Sequence, residues 1–354
     1  MLDALPIVTD ADTPQGIIRR LVALQPTPRL PVSLLSAGAW TLNRAGLSLE
    51  QALAAGPERF AEVVATTNEG VGCDIVWPGS GYHNLALRGV GGTIKFRAKG
   101  TPDVLEPLLR EPADAERVPV ARVREDAGVG VLVGAARILS KTIGGRTVVG
   151  TSQWAPFTLG ALAFGAERLM RSIYKDKPAA HAVLAFAADL CFEFLEPFID
   201  AGVTMISLAD PSSSGDMISR QQFVEFSLPY LTQVAAKVRA REVAVTVHIC
   251  GNSTARLDLI PGTGAQIMSV DYKVDLARAR ELLGGRIALA GNMNPVAVMQ
   301  AGTPASVAAA CRECIRAAGP GPGFLLMPGC DIPPTVPVEN VRAMVEAAHA
   351  VTSL

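Results

Sequence analysis

Long apolar runs, secretory features and an excess of one charge are all missing from this sequence. Every hydrophobic stretch is broken by Gly, Pro or a charged residue well short of the ~20 residues that a membrane-spanning helix requires. Residues 1–6 have neither the basic region nor the apolar core of a signal peptide. The 32 basic and 33 acidic side chains give a formal net charge of -1, which favours no nucleic-acid partner. We therefore expect a cytoplasmic protein that binds neither membranes nor nucleic acid.

Cysteine is also scarce, with six residues in a chain of 354. Without a secretory signal, so few cysteines argue against a disulfide framework and leave free thiols or metal ligands. Cys73 and Cys191 lie in apolar segments, so we expect them to be buried small hydrophobes. Cys311 and Cys314 have the CxxC spacing of zinc and redox sites, but they fall inside a predicted helix and lack a second pair, which favours a structural role.

Short apolar, β-branched runs alternate with helical stretches along the chain. The predicted strands are residues 31–37, 74–77, 147–151, 204–209, 244–249, 267–270, 287–290 and 324–327. The predicted helices between them are residues 50–67, 121–143, 158–175, 179–201, 219–241, 275–283, 304–318 and 338–352. Eight strands alternating with helices predict an α/β protein with a closed (β/α)₈ TIM barrel. A further helix near residues 13–24 predicts an N-terminal extension over residues 1–28, followed by a single barrel domain over residues 29–354.

The region 89–119 is rich in glycine and interrupts this alternation. It lacks the GxGxxG spacing and the GK[ST] ending that place backbone amides around a phosphate. A hairpin at the rim of the barrel is therefore favoured over a phosphate site.

Two ligand-type residues one position apart, His248 and Cys250, end one predicted strand, and Cys330 follows another. An HxC on a strand directs both side chains to the same face. Catalytic groups of a barrel lie at the carboxyl ends of its strands, so all three are expected around one mouth. Imidazole and thiolate suit a borderline-soft divalent metal, and three protein ligands with an open fourth position are typical of a catalytic zinc site. The spacing predicts a His/Cys/Cys zinc centre.

Other polar residues end predicted strands in the same way. Asp210 begins a loop of small hydroxyl residues, where it could orient a metal-bound histidine or bind substrate, and Asp271 and Asn292 end two further strands. His83 is expected in a loop near the mouth of the site. Ser219 or Asp216 is expected to cap the helix that follows the loop, because such side chains accept the first helical amides.

Several segments together resemble the uroporphyrinogen decarboxylase superfamily. They are the C-terminal stretch that begins Met327-Pro-Gly-Cys330-Asp331-Ile-Pro-Pro, the segment Gly150-Thr-Ser-Gln-Trp154-Ala-Pro-Phe-Thr-Leu, and Val270-Asp271 with Gly291-Asn292-Met-Asn-Pro295. HxC followed far downstream by one Cys is similar to the signature of the corrinoid-linked methyltransferases in this superfamily, of the methylcobamide:coenzyme M type. The true decarboxylases of the superfamily resemble one another in an arginine-containing motif near the N-terminus and in an acid after the second strand. The corresponding segments of this chain are Leu35-Ser-Ala-Gly-Ala-Trp40, which has no arginine, and Pro-Gly-Ser-Gly-Tyr-His83-Asn after Trp77, which has no acid.

The resemblance implies an enzyme that moves a methyl group between a small thiol, or a methoxylated or methylated substrate, and the cobalt of a corrinoid. It implies zinc held by His248, Cys250 and Cys330. From their positions at strand ends, Asp210 and Asp271 are expected to be catalytic residues. His83, Trp154 and Asn292 are expected to bind the substrate. No corrinoid-binding DxHxxG signature occurs in the sequence, so the cobalamin is expected on a separate corrinoid protein. A homodimer is compatible with these expectations.

Two other functions stay open at the level of the sequence. One is decarboxylation of a porphyrinogen or another acid, which would proceed without a metal. The other is a non-enzymatic module that carries a corrinoid or a metal without turnover.

Overall fold

The structure, a computed structural model, describes residues 13–352. It contains nine β-strands, numbered in chain order. These are β1 Ile75–Val76, β2 Ile94–Lys95, β3 Asp103–Val104, β4 Val148–Trp154, β5 Met205–Ala209, β6 Ala244–Ile249, β7 Ile267–Val270, β8 Ala288–Met293 and β9 Phe324–Pro328. All but β2 and β3 form one parallel sheet in the order β1, β4, β5, β6, β7, β8, β9. Seven of the eight predicted strands are therefore confirmed.

The eighth predicted strand, residues 31–37, closes the sheet into a barrel with only one bridge. Val32 pairs in parallel with Leu326 of β9, and the amide of Asp74, next to β1, donates to the carbonyl of Val32 at 2.9 Å. Pro31 has no amide hydrogen to donate, and Ala37 already has a left-handed backbone with φ 56°. A regular strand across the whole segment was therefore a wrong prediction, but the closed barrel was right.

A buried ion pair holds this closing segment in place. Asp74 has no exposed surface. Its carboxylate accepts two hydrogen bonds from the Arg29 guanidinium, at 2.9 and 2.5 Å, and one from the amide of Val32 at 2.8 Å. Two parallel bonds to a planar guanidinium fix geometry as well as charge. The pair thus ties residues 29–32 to the segment that leads into β1.

Most of the helices cover the outside of the sheet, and the first helix closes one end of it. The helices are α1 Pro14–Val22, α2 Gly38–Arg44, α3 Leu49–Ala54, α4 Gly56–Glu69, α5 Leu85–Gly89, α6 Ala127–Thr142, α7 Pro156–Phe164, α8 Ala166–Lys175, α9 Lys177–Asp200, α10 Arg220–Gln222, α11 Leu228–Arg239, α12 Leu276–Leu283, α13 Pro304–Ala318 and α14 Val338–His349. Ser219 caps α10 by accepting the amide of Gln222, as expected. Two π-helical turns, Phe223–Ser227 and Pro295–Gln300, lie between these helices.

Several predicted helices are divided in the structure. The predicted helix 158–175 breaks at Gly165, whose φ of 95° ends α7 and starts α8. The predicted helix 121–143 begins only at Ala127, because Asp126 caps α6 through the amide of Val129. Helical periodicity continues across both breaks, so the sequence pattern alone did not reveal them.

The N-terminal end of the barrel interior is apolar and closed by α1. Ile18 and Leu21 of this helix pack into one buried cluster with the first inward residue of several strands, including Met205, Ala244 and Ile267. Strand alternation places every second residue beyond these on the same inner face. The interior therefore becomes accessible only from the C-terminal mouth, where the candidate site lies.

The glycine-rich insertion forms the expected hairpin. β2 and β3 pair antiparallel, with Ile94 opposite Val104 and Lys95 opposite Asp103. Among residues 13–352, no helix has the length and apolar character needed to cross a bilayer.

Candidate metal centre and active site

The structure brings His248, Cys250 and Cys330 together at the mouth of the barrel. His248 is the fifth residue of β6 and faces inward, Cys250 follows β6 directly, and Cys330 lies just beyond β9. One ligand atom from each of the three lies within 4.8 Å of the other two. Within the part of the chain that the structure describes, this is the one group of at least three His, Cys, Asp or Glu side chains arranged to hold a metal ion.

The three donor atoms are in mutual contact. His248 Nε2 lies 3.0 Å from Cys250 Sγ, and the two sulfurs are 3.3 Å apart. The hydrogen bond from Cys250, together with His248, lowers the pKa of Cys330 despite its burial. The same hydrogen bond and burial raise the pKa of Cys250. One of the two sulfurs thus readily becomes a thiolate, which is the form that binds a metal.

Ser269 orients the imidazole of His248. This serine lies on the inner face of β7, directly beside His248 in the register of the sheet, and its Oγ is 2.9 Å from Nδ1. A partner on the far nitrogen fixes the tautomer and the direction of the ring, as is usual for metal-binding histidines. The sequence reasoning missed Ser269, although its position two residues before Asp271 identifies it as an inward residue at a strand end.

Of the two roles considered for Asp210, orienting the metal-bound histidine and binding substrate, its contacts do not support the first. Its carboxylate is fully buried and accepts hydrogen bonds from the amide and hydroxyl of Thr158, at 2.8 and 2.7 Å, and from Ser227 Oγ at 2.9 Å. Burial raises its pKa, although these hydrogen bonds oppose the shift. Among the described residues, the side chain bonded to His248 Nδ1 is Ser269, not Asp210. The carboxylate instead ties the start of α7 to the end of a π-helical turn.

Asp271 and Asn292 form a joined pair beside the sulfurs. The Asn292 amide donates to the backbone carbonyls of Asp271 and Val274, at 3.0 and 2.7 Å. The Asp271 carboxylate accepts the amide of Lys273 at 2.9 Å. Gly329 packs against this loop so closely that an added Cβ would lie 2.4 Å from the amide nitrogen of Tyr272. Close backbone contact therefore sets the position of neighbouring Cys330.

His83 and Trp154 form a wall on β4 and the loop after β1. Their ring centroids are 4.3 Å apart, and His83 Nε2 lies 2.6 Å from Ser152 Oγ. Burial lowers the pKa of His83 to about 3, so its ring is neutral at pH 7. Trp154 Nε1 donates to the side chain of Asn84 at 2.8 Å. The expected loop position of His83 is confirmed, and the structure adds Ser152 and Asn84 to this wall.

Asp331 is a buried acid that the sequence reasoning did not single out. It follows Cys330 directly, and one carboxylate oxygen accepts the amides of Ala37 and Ile332, at 2.7 and 3.0 Å. Burial raises its pKa to about 6. These bonds anchor the Cys330 loop to the start of α2.

The CxxC pair lies inside α13, as expected, and outside the metal cluster. Cys311 is buried with its sulfur 3.2 Å from that of Met293. Cys314 Sγ is 3.8 Å from the side-chain oxygen of Asn292. Both cysteines therefore contact the end of β8 from the outside of the barrel.

A barrel with an inward-facing cluster of polar and thiol side chains at its C-terminal mouth is the arrangement of a (β/α)₈-barrel enzyme. The chain belongs to the uroporphyrinogen decarboxylase (URO-D) family, whose model matches residues 13–351. This confirms the family resemblance and the fold expected from the sequence.

Relatives of two kinds are similar over most of the chain. The methylcobamide:CoM methyltransferase MtbA of Methanosarcina mazei is 28% identical over 95% of this chain and 97% of its own length. MtbA of Methanosarcina acetivorans is 29% identical over 71% of this chain and 72% of its own length. A uroporphyrinogen decarboxylase of Anaeromyxobacter dehalogenans is 29% identical over 72% of this chain and 73% of its own length. A solved methyltransferase from Methanosarcina mazei has the same fold, with a TM-score of 0.85, 23% identity, and coverage of 95% of this chain and 98% of that one.

Proposed function

We propose that this enzyme transfers a methyl group between a small thiol, or a methoxylated or methylated substrate, and the cobalt of a corrinoid held by a partner protein. A zinc ion bound by His248, Cys250 and Cys330 would activate the substrate. The convergence of these three donor atoms at the barrel mouth carries the proposal. The similarity to methylcobamide:CoM methyltransferases over most of the chain supports it.

The donor set fits zinc in kind and in size. With zinc–sulfur distances of about 2.3 Å, two thiolates on a tetrahedral ion lie about 3.8 Å apart. The sulfurs of Cys250 and Cys330 are 3.3 Å apart, so they need to separate by only a few tenths of an ångström. Three protein donors leave one position for a substrate atom, as in catalytic zinc sites. When bound there, zinc supplies Lewis acidity, which favours a thiolate over a thiol or polarises a departing oxygen or sulfur.

The chain's own donors determine which chemistry suits the site. Two thiolates and one neutral imidazole cancel the charge of a divalent ion, so a bound sulfur retains more nucleophilic character than it would beside three histidines. Ser269 keeps His248 in one orientation, and the Gly329 contact fixes Cys330. A neutralised, preorganised centre favours alkyl transfer over hydrolysis.

The corrinoid protein is proposed to dock over the mouth. Three large apolar side chains there are exposed: Met217 after β5, Tyr272 after β7 and Val296 after β8, at 55%, 44% and 55%. Exposed apolar groups around an active site are typical of interaction surfaces. The site also needs reduced sulfurs, so we place the reaction in the cytoplasm.

Decarboxylation of a porphyrinogen is the competing function, since decarboxylases are among the relatives. A substrate with many carboxylates needs cationic partners. The segment of residues 35–40 contains no arginine, and a decarboxylase would give no role to the thiol pair. We therefore rank methyl transfer first.

Elemental analysis of the purified protein, together with an absorbance assay on methylcobalamin, tests the proposal. We expect about one zinc per chain, and conversion of methylcobalamin to cob(I)alamin in the presence of a thiol acceptor. Chelation should abolish the reaction and added zinc should restore it. Full activity without metal, or release of CO₂ from uroporphyrinogen, would refute methyl transfer by this centre. Corrinoid or metal binding with no turnover on any donor or acceptor would instead indicate a carrier.

A further inference from the structure

The first residues of the loops at the barrel mouth contain almost no positive charge, and Arg256, the next residue of the loop after β6, donates to the backbone carbonyls of Ser213 and Ile218. In the first six residues after each strand of the barrel and after the closing segment, residues 31–37, the described loops hold one basic side chain, Lys273. Its ammonium lies 3.1 Å from the carboxylate of Asp216, so its charge is already paired. The same loops contain Asp210, Asp271 and Asp331. The mouth is therefore neutral to acidic around the metal ligands.

Basic residues of the rim hairpin do not change this picture. Arg97 forms a bidentate pair with Asp103, at 2.7 and 2.5 Å. Arg97 and Lys99 line a groove against residues 43–51, on the outer side of α2 and α3. His83, which is part of the interior wall, is neutral at pH 7 because burial lowers its pKa to about 3. An anionic substrate would find no free cation among these groups.

Two buried polar atoms on the inner side of the barrel have no hydrogen-bond partner among residues 13–352. They are Nδ1 of His83 and Oγ of Ser207. Ser207 lies on β5 between Ser152 of β4 and Thr246 of β6 in the register of the sheet, and His83 is bonded to that same Ser152. A buried polar atom without a partner is unfavourable until a ligand or water supplies one. The two atoms thus mark a place for a hydrogen-bonding group.

This place is within reach of the metal ligands. Ala209 of β5 pairs with His248 of β6 in the register of the sheet. Ser207 lies two residues before Ala209 and faces the same side, toward the barrel interior. Two residues of strand rise and one strand spacing separate Ser207 from His248 by about 8 Å. A molecule with two or three bonds between its reacting atom and its polar end spans that gap.

We propose that the small molecule that reacts at this centre carries no negative charge, and that its far end is a neutral hydrogen-bonding group held by His83 and Ser207. The inference rests on the proposed function and narrows its substrate class. It separates this chain from relatives whose names specify CoM, a two-carbon thiol that ends in a sulfonate. A hydroxyl or amide can both donate and accept, so it satisfies both unpartnered atoms, whereas a sulfonate here would lie among acids without a cation.

Three thiols of equal length test the inference on the full chain loaded with cobalt(II) in place of zinc. They are 2-mercaptoethanol, cysteamine and 2-mercaptoethanesulfonate, which end in a neutral, a cationic and an anionic group. Thiolate-to-cobalt absorbance gives each dissociation constant, which is then corrected for the pKa of the thiol. We expect 2-mercaptoethanol to bind at least tenfold more tightly than the sulfonate, with cysteamine between them. Equal or tighter binding of the sulfonate would overturn the inference, and tightest binding of cysteamine would replace the neutral end with a cationic one.

Substitutions of two serines test whether the hydroxyl of Ser207 contacts the polar end of the thiol or only affects the site in general. Ser207→Ala should weaken 2-mercaptoethanol about threefold and leave ethanethiol, which lacks a polar end, unchanged. Ser140→Ala is the matched control, because Ser140 also has a buried, unpartnered hydroxyl but lies near Gly202 at the other end of the barrel. Equal losses for both thiols in Ser207→Ala would contradict the contact. A cobalt(II)-loaded protein whose spectrum no thiol changes would also overturn the inference, whereas a protein that binds neither cobalt(II) nor zinc would refute the proposed function itself.

Discussion

The two ends of the barrel interior are built from the same strands but contain opposite kinds of side chain. At the N-terminal end, Ile18 and Leu21 of α1 meet Met205 and Ile267 in a buried apolar cluster. Toward the mouth, the same strands present His248 and other polar groups, some of which have no partner within the described part of the chain. The comparison shows a division of roles, since one end is packed for stability while the other retains polar groups that are available to a ligand.

The change occurs within single strands. The inward residues of β6, from bottom to mouth, are Ala244, Thr246 and His248, and those of β7 with its following residue are Ile267, Ser269 and Asp271. Each strand thus runs from an apolar group through a hydroxyl to a ligand or an acid. We expect substitutions at the bottom to lower the free energy of unfolding, and those at the mouth to alter binding and catalysis.

Removing a thiol at the mouth is the most severe test of this division. Cys330→Ser should reduce bound zinc from about one per chain to near zero, and should slow methyl transfer on the order of 10³-fold, because two protein donors hold zinc poorly. The thermal midpoint of the metal-free variant should match that of the metal-free parent. Elemental analysis, the methylcobalamin assay and thermal melting provide the three readouts.

Cys314→Ser is the matched control for that experiment. This half-buried cysteine contacts Asn292 from outside the barrel and lies outside the donor cluster. It should retain zinc and activity. Equal loss of zinc in both variants would mean that zinc binding does not depend specifically on Cys330, and it would contradict the assignment of the metal to the mouth.

Truncating the bottom cluster should have the opposite signature. Leu21 is 1% exposed, so Leu21→Ala should lower the free energy of unfolding by about 2–5 kcal/mol through lost burial and a residual cavity. Zinc content and the rate of methyl transfer at 25 °C should stay at the parent values. Urea unfolding measures the first effect. A large loss of zinc in a folded Leu21→Ala protein would show that the two ends are coupled.

The sequence predicted most of the barrel strands from their pattern, and it predicted the metal donors of the mouth as individual residues. Strand periodicity located seven of the eight barrel strands, and the HxC spacing with Cys330 led to the donor cluster, because side-chain alternation and the position of strand ends follow from local pattern. The predicted strand 31–37 was wrong in its extent. Its pairing depends on Asp74 and Leu326, which are distant in sequence.

The contacts that side chains make across neighbouring strands could not be predicted from the sequence. Asp210 and Ser269 both lie near strand ends, so pattern alone could not decide which one faces His248. The register of β6 against β7 decides it, by pairing His248 with Ser269. Asp331 escaped notice for the same reason, since its partner amide at Ala37 is almost the full chain length away.

The neutral His83 at the mouth predicts a loss of stability in acid. Burial lowers its pKa from 6.5 to about 3, so below pH 6.5 the unfolded chain binds a proton that the folded chain does not. Its contribution is present above pH 6.5 and is lost as the pH falls toward 3, by about 2 kcal/mol between pH 7 and 5. His83→Phe should remove this part of the pH dependence in urea unfolding. Parallel pH profiles for parent and variant would mean that folding leaves the pKa of His83 unchanged.

The hydroxyl of Ser269 should have the smallest effect, and it tests whether polar groups behind the donors belong functionally to the mouth. Ser269→Ala leaves His248 Nδ1 without its partner at 2.9 Å, and loss of such a bond reduces metal affinity roughly tenfold. Ser269→Thr keeps a hydroxyl on the same strand face and should retain affinity. Competition with a chromogenic chelator measures the dissociation constant, and Ser253→Ala, another fully buried serine, is the control. If Ser269→Ala instead lowers the free energy of unfolding and leaves zinc affinity unchanged, Ser269 belongs to the part of the barrel that is packed for stability. The functional part of the mouth would then begin at the donor atoms themselves.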